Sequence, residues 1–85
     1  MTTYSLESII SVPCVATFNG ITVYMYFRDH NPPHVHVRYA EHEALLVIAD
    51  GTVLAGNLPA RPLTEVQAWL AENRQTLLSK WAQLQ

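Results

Sequence analysis

From Cys14 to Ala55 apolar and polar residues alternate with the period of two that marks half-buried strands. After Pro62 the spacing lengthens to that of a helix. Phe18-Asn19-Gly20-Ile21 predicts a two-residue hairpin, because Asn and Gly accept the positive φ of a type I′ turn. It joins a strand over Cys14–Phe18 to one over Ile21–Phe27. In the second strand Ile21, Val23, Met25 and Phe27 form an apolar face, and Thr22, Tyr24 and Tyr26 the other. Both faces are therefore expected to be at least half covered.

A second pair is predicted over His34–Tyr39 and His42–Ala49. A two-residue turn at Ala40-Glu41 sets Tyr39 opposite His42, Arg38 opposite Glu43 and His36 opposite Leu45. This register gathers Val35, Val37, Ala44, Leu46 and Ile48 on one face and His34, His36, Arg38 and Glu43 on the other. A slip of one residue would mix the two sets, so the partition selects the register. Asp50-Gly51 predicts a further tight hairpin into Thr52–Ala55, and Gly56-Asn57-Leu58-Pro59 ends the sheet. Pro62 suits a first helical turn, where its missing N–H is no loss. Leu63, Val66, Trp69, Leu70, Leu77, Trp81 and Leu84 then form a stripe that can cover one sheet face, with Asn73 as a point of kinking or breakage. The predicted fold is α+β: an antiparallel sheet of four or five strands, in hairpin and meander order, packed against a C-terminal helical segment of one or two helices. Residues 1–12 read as an N-terminal extension with partial order, and 13–85 as one domain.

Composition narrows the class. The chain has 85 residues, 49% hydrophobic and 14% charged, an apolar balance that leaves surface for a partner or a second copy. A formal charge of −2 argues against broad electrostatic attraction to nucleic acid, so RNA is a weakly supported partner. One cysteine, Cys14, and no export signal or long apolar run point to a reducing cytoplasm and no membrane partner. Cys14 reads as a small core residue, and Trp69 and Trp81 as core of the helical stripe.

The chemistry concentrates in Arg28-Asp29-His30-Asn31-Pro32-Pro33-His34-Val35-His36-Val37-Arg38. Asn-Pro and Pro-Pro make a stiff elbow, and His34 and His36, two apart on a strand, share a face. Two functional readings follow. In one, His30, His34 and His36 bind a divalent metal such as zinc, with Asp29 or Glu43 as a further ligand or an orienting group. In the other, His34 and His36 act as base and acid, with Arg38 or Arg28 steadying a phosphate, and the target is a phosphodiester. Tyr24 and Tyr26 could line a shallow groove on the same face and stack a base. The competing reading makes the histidines structural, bonded to backbone or stacked on Tyr24 or Tyr26, in an adaptor domain. A lone His-x-His pair is a weak metal signal, and the clustering of three histidines around Pro-Pro strengthens the functional readings against the structural one.

Gly20-Ile21-Thr22-Val23-Tyr24-Met25-Tyr26, the Asp29-His30-Asn31-Pro32-Pro33-His34-Val35-His36 core, Gly56-Asn57-Leu58-Pro59-Ala60-Arg61 and the helix with Trp69 and Trp81 resemble domain of unknown function 4160, a family of small bacterial proteins. The resemblance runs from about Pro13 to Trp81. Val35 stands where the family commonly has Phe, Ala40 where it has Gly, and His42 where it has Tyr, so His42 is not carried over as a site residue. The resemblance implies a partner, because such proteins are often encoded beside a second small protein in a toxin–antitoxin-like arrangement. The expected function is therefore one component of such a pair, with a histidine-based, metal-dependent or metal-free nuclease as the alternative.

Overall fold

The computed structural model describes residues 14–85, and the expectation for residues 1–12 lies outside the described residues. Five strands form one antiparallel sheet in chain order: β1 (Cys14–Phe18), β2 (Ile21–Tyr24), β3 (His34–Tyr39), β4 (His42–Val47) and β5 (Val53–Gly56). One helix, α1 (Ala60–Gln83), follows. The fold is α+β, as the periodicity predicts.

The first hairpin turns through Asn19 (φ 50°) and Gly20 (φ 80°), the two positive angles a type I′ turn needs. The β3–β4 register is the expected one, with Tyr39 opposite His42, Arg38 opposite Glu43 and His36 opposite Leu45. Ala40 in the turn has φ 53°, a left-handed backbone that costs a residue with a Cβ more than it costs glycine.

Three expectations need correction. The second strand stops at Tyr24 rather than Phe27, because Arg28 takes φ 52° in a turn and its N–H donates to the Leu84 carbonyl (3.0 Å). Phe27 consequently lies half exposed instead of joining the apolar face. β4 stops at Val47 rather than Ala49, because the Ile48 N–H is drawn to the Pro33 carbonyl (3.0 Å) and the Asp50 carboxylate takes the Thr52 N–H (2.9 Å). The last connection is thus a longer loop, not a two-residue turn. Cys14 is exposed on β1 rather than buried.

Ile21, Val23, Val35, Val37, Ala44 and Leu46 from the sheet, with Met25 and Ile48 beyond its strands, meet Val66, Leu70, Leu77 and Trp81 of α1 in one core. Leu63, Trp69 and Leu84 of the predicted stripe pack at its margin, and the Trp69 ring tilts against Phe18 at 5.7 Å. Asn73 leaves helical geometry (φ −117°, ψ 18°) while its amide donates to the Trp69 carbonyl, so the helix bends without breaking. Arg61 bonds the Tyr39 hydroxyl (3.0 Å) and Glu65 (2.8 Å), and Asn19 donates to the same Glu65 (3.3 Å), pinning the first turn to the helix start. Arg74 donates to the Ile48 carbonyl and Gln67 to that of Gly51, which fixes the β4–β5 loop against the helix. The opposite sheet face stays half exposed, with Cys14, Tyr24, His36 and Leu45 in one cross-strand row.

Candidate metal centre

The proline elbow and β3 bring two imidazoles to one carboxylate. Asp29 follows the Phe27–Arg28 turn, and the His30 backbone N–H donates to its Oδ1 (2.9 Å), which fixes the carboxylate plane. The chain then crosses Asn31 and Pro32 through a cis peptide bond, and the Pro33 carbonyl ties the elbow to Ile48. His34 and His36 come up on β3 with their rings 5.1 Å apart. Asp29 Oδ2 lies 2.9 Å from His36 Nε2 and 3.1 Å from His34 Nε2. One ligand atom from each of the three side chains falls within 4.8 Å of the others.

The hydrogen-bond pattern fixes the tautomers. A carbonyl oxygen only accepts, so the 2.8 Å contact between His34 Nδ1 and the Pro32 carbonyl places the proton on Nδ1. In the neutral ring His34 Nε2 then carries the lone pair, and the side chain is fully buried against the Trp81 ring at 5.2 Å. Although Asp29 Oδ2 is 3.1 Å away, the ring nitrogen is misdirected for a hydrogen bond and has no partner among the described residues. Distance alone would suggest an ion pair; direction decides against a bond, since an off-axis contact recovers little of its strength. His36 donates from Nε2 to Asp29 and is held between Tyr24, stacked at 5.9 Å, and Tyr26, edge-on at 4.2 Å.

Burial opposes charge on Asp29, but the His36 hydrogen bond, the His30 N–H and the adjacent His34 and His36 outweigh it and hold the carboxyl below its ordinary value. The carboxylate is thus ionised at neutral pH. Glu43, the other carboxylate considered, is engaged elsewhere: Arg38 (3.0 Å) and the Tyr24 hydroxyl (3.1 Å) both donate to its Oε2 and lower its pKa. Burial, followed by that bond to Glu43, pushes the Tyr24 hydroxyl up.

A family model described as Domain of unknown function (DUF4160) matches residues 20–82. The chain belongs to this family. The DUF4160 segment spans the proline elbow, both histidine-bearing positions of β3 and nearly all of α1. No curated protein and no solved structure matches the chain. The family's description assigns no activity, so the chemistry of the DUF4160 site rests on its geometry.

That geometry sorts the expected residues. His34, His36 and Asp29 converge. His30 stands apart, 71% exposed, with its Nε2 3.7 Å from Asp29 Oδ1 and its Nδ1 donating to the Asn31 carbonyl. Arg28 is exposed, and among the described residues its side chain makes no ion pair. Arg38, Tyr24 and Tyr26 line a groove beside His36. The sequence reading placed Trp81 only in the core, whereas it also walls His34; helical spacing announced its burial but not which strand end it would meet.

Tetrahedral zinc ligands sit roughly 3.3 Å from one another, given metal–ligand distances of about 2.0–2.1 Å. The two separations at Asp29 Oδ2 need open by only a few tenths of an ångström to admit a dication, and the two imidazole nitrogens, within 4.8 Å of each other, must draw together around it. An imidazole whose outer nitrogen donates to a carbonyl is also the usual arrangement for a metal-binding histidine. The donor set fits a metal ion once His36 Nε2, which donates to Asp29 in the metal-free protein, releases its proton on metal binding.

Proposed function

We propose that this DUF4160 protein binds one divalent transition metal, zinc foremost, through Asp29, His34 and His36. The observation that carries the reading is the buried Nε2 of His34, without a hydrogen-bond partner among the described residues and close to Asp29 and His36. A buried acceptor without a partner costs about 1–3 kcal/mol, and a metal would convert that cost into binding energy. Two imidazoles and a carboxylate leave coordination positions for water or substrate, the layout of catalytic rather than purely structural zinc, and one that non-haem iron(II) also accepts. Bound there, the metal would lower the pKa of a coordinated water and polarise a phosphoryl or carbonyl oxygen. This supports hydrolysis, with a phosphodiester as the substrate class argued from Arg38 beside the histidines.

The test is to measure zinc, iron, nickel and manganese in the purified protein and to compare RNA degradation by wild type, His34→Ala and His36→Ala. Metal in the wild type, lost in both variants, is expected. No metal in any sample, with equal activity, leaves the histidines structural.

A second reading, action in the cytoplasm through a small co-encoded partner in a toxin–antitoxin-like pair, is favoured by the exposed Phe27 (50%) and Leu54 (44%). Leu54 lies on β5, an edge strand of the sheet among the described residues, where a partner can add its own backbone. Size-exclusion chromatography with the encoded neighbour tests it: co-elution is expected, and independent elution at micromolar concentration removes the idea. Both readings hold together if the partner silences the metal site.

A further inference from the structure

On the open sheet face, Cys14, Thr22, Tyr24, Tyr26 and Arg38 line a groove of about 430 Å³. That volume lies within the range of small-molecule sites. The groove abuts the metal-binding residues, because both of its tyrosine rings touch the His36 ring. The Tyr24 and Tyr26 rings meet at 70° with centroids 5.8 Å apart, so the wall presents aromatic surface in two orientations. Arg38 is 59% exposed at the groove and bonds Glu43 through Nη2.

The local charge decides what such a groove takes. Arg38 is offset by Glu43, and Asp29 leaves the neighbourhood one negative charge in excess. An anion is then repelled. A divalent ion held by Asp29, His34 and His36 reverses the sign to one net positive charge. We propose that the groove binds a nucleoside monophosphate, its base against Tyr24 and Tyr26 and its phosphate towards Arg38, and that it does so more tightly when the metal is bound. This rests on the metal reading and names the ligand class for the same site. Stacking on aromatic rings suits any base, and a guanidinium suits a phosphate, so the chemistry selects a base joined to a phosphate rather than either alone. Linkage requires the converse as well: the nucleotide must raise metal affinity by the same factor.

The experiment titrates AMP, and separately inorganic phosphate and adenosine, into zinc-loaded and metal-free protein by calorimetry, with zinc content measured on each sample. The chain's one cysteine, exposed in the groove, supplies a second readout through its rate of alkylation by iodoacetamide. AMP is expected to bind the zinc-loaded form and slow alkylation of Cys14, with affinity raised by zinc roughly 5- to 150-fold, the ordinary span of coupling between two sites. Arg38→Gln, which touches none of the three metal-holding side chains, is expected to keep its zinc and lose AMP. Equal AMP affinity with and without zinc, or no AMP binding by protein shown to carry zinc, overturns the nucleotide proposal and leaves the metal reading standing. Phosphate binding as tightly as AMP overturns the aromatic half. Failure of any sample to load zinc overturns both readings together.

Discussion

Replacing His34 with leucine separates a metal-binding histidine from a structural one. The side chain is fully buried, makes one hydrogen bond, to the Pro32 carbonyl, and keeps one nitrogen unpartnered. Leucine has similar bulk, so little cavity is created. Losing the Pro32 bond costs about 0.5–1.5 kcal/mol, while removing the unpartnered nitrogen returns about 1–3 kcal/mol. Pro32 is exposed and its carbonyl can turn to water. The metal-free variant is therefore expected to fall between about 0.5 kcal/mol less stable and about 2.5 kcal/mol more stable than wild type. Metal reverses the order. At a free metal concentration of about 100 Kd, binding stabilises wild type by about 2.7 kcal/mol, and the variant gains little. For a domain of this size that corresponds to a Tm increase of roughly 10–20 °C. Thermal unfolding by circular dichroism, in chelator and then with added zinc, reads both halves. The reasoning fails if the variant is more than about 2 kcal/mol less stable in chelator and zinc leaves the wild-type Tm unmoved. His34 would then be a satisfied structural residue.

Two further predictions test the frame and the electrostatics. Gly56 has φ 76°, and a Cβ there would collide with the Glu43 carbonyl and sit 3.0 Å from the Ala44 Cα. Gly56→Ala should lower the urea unfolding free energy by about 2 kcal/mol or more, left-handed strain plus backbone clash, and an unchanged midpoint would contradict the β4–β5 geometry. Asp29 has a folded pKa below its ordinary value, so its contribution is complete above that value and disappears as pH falls through the folded pKa. Comparing urea midpoints of wild type and Asp29→Asn in chelator, the gap should close as pH falls below about 4, whereas parallel pH profiles through that range would refute the shift.

Much of the fold was legible because local signals agreed with one another. Asn19-Gly20 demanded a hairpin, and the separation of Val35, Val37, Ala44 and Leu46 from His36, Arg38 and Glu43 permitted one register. Strand ends were less legible, since they depend on distant partners: Leu84 takes the N–H of Arg28, and Pro33 takes that of Ile48. At the site, spacing placed His34 and His36 side by side, but it ranked His30 with them and left Asp29 as one of two carboxylates. Which carboxylate joined them was decided by the turn at Arg28 and by Arg38 engaging Glu43 across the strand pair. The burial of His34 under Trp81 depended on where a bent 24-residue helix ends, which no local pattern encodes.

Calorimetric titration of zinc into metal-free protein reads the Asp29–His34–His36 site itself. One site per chain is expected in the wild type, with binding abolished in His34→Ala and in Asp29→Asn. Heats indistinguishable from buffer, or an equal isotherm in all three proteins, would contradict it.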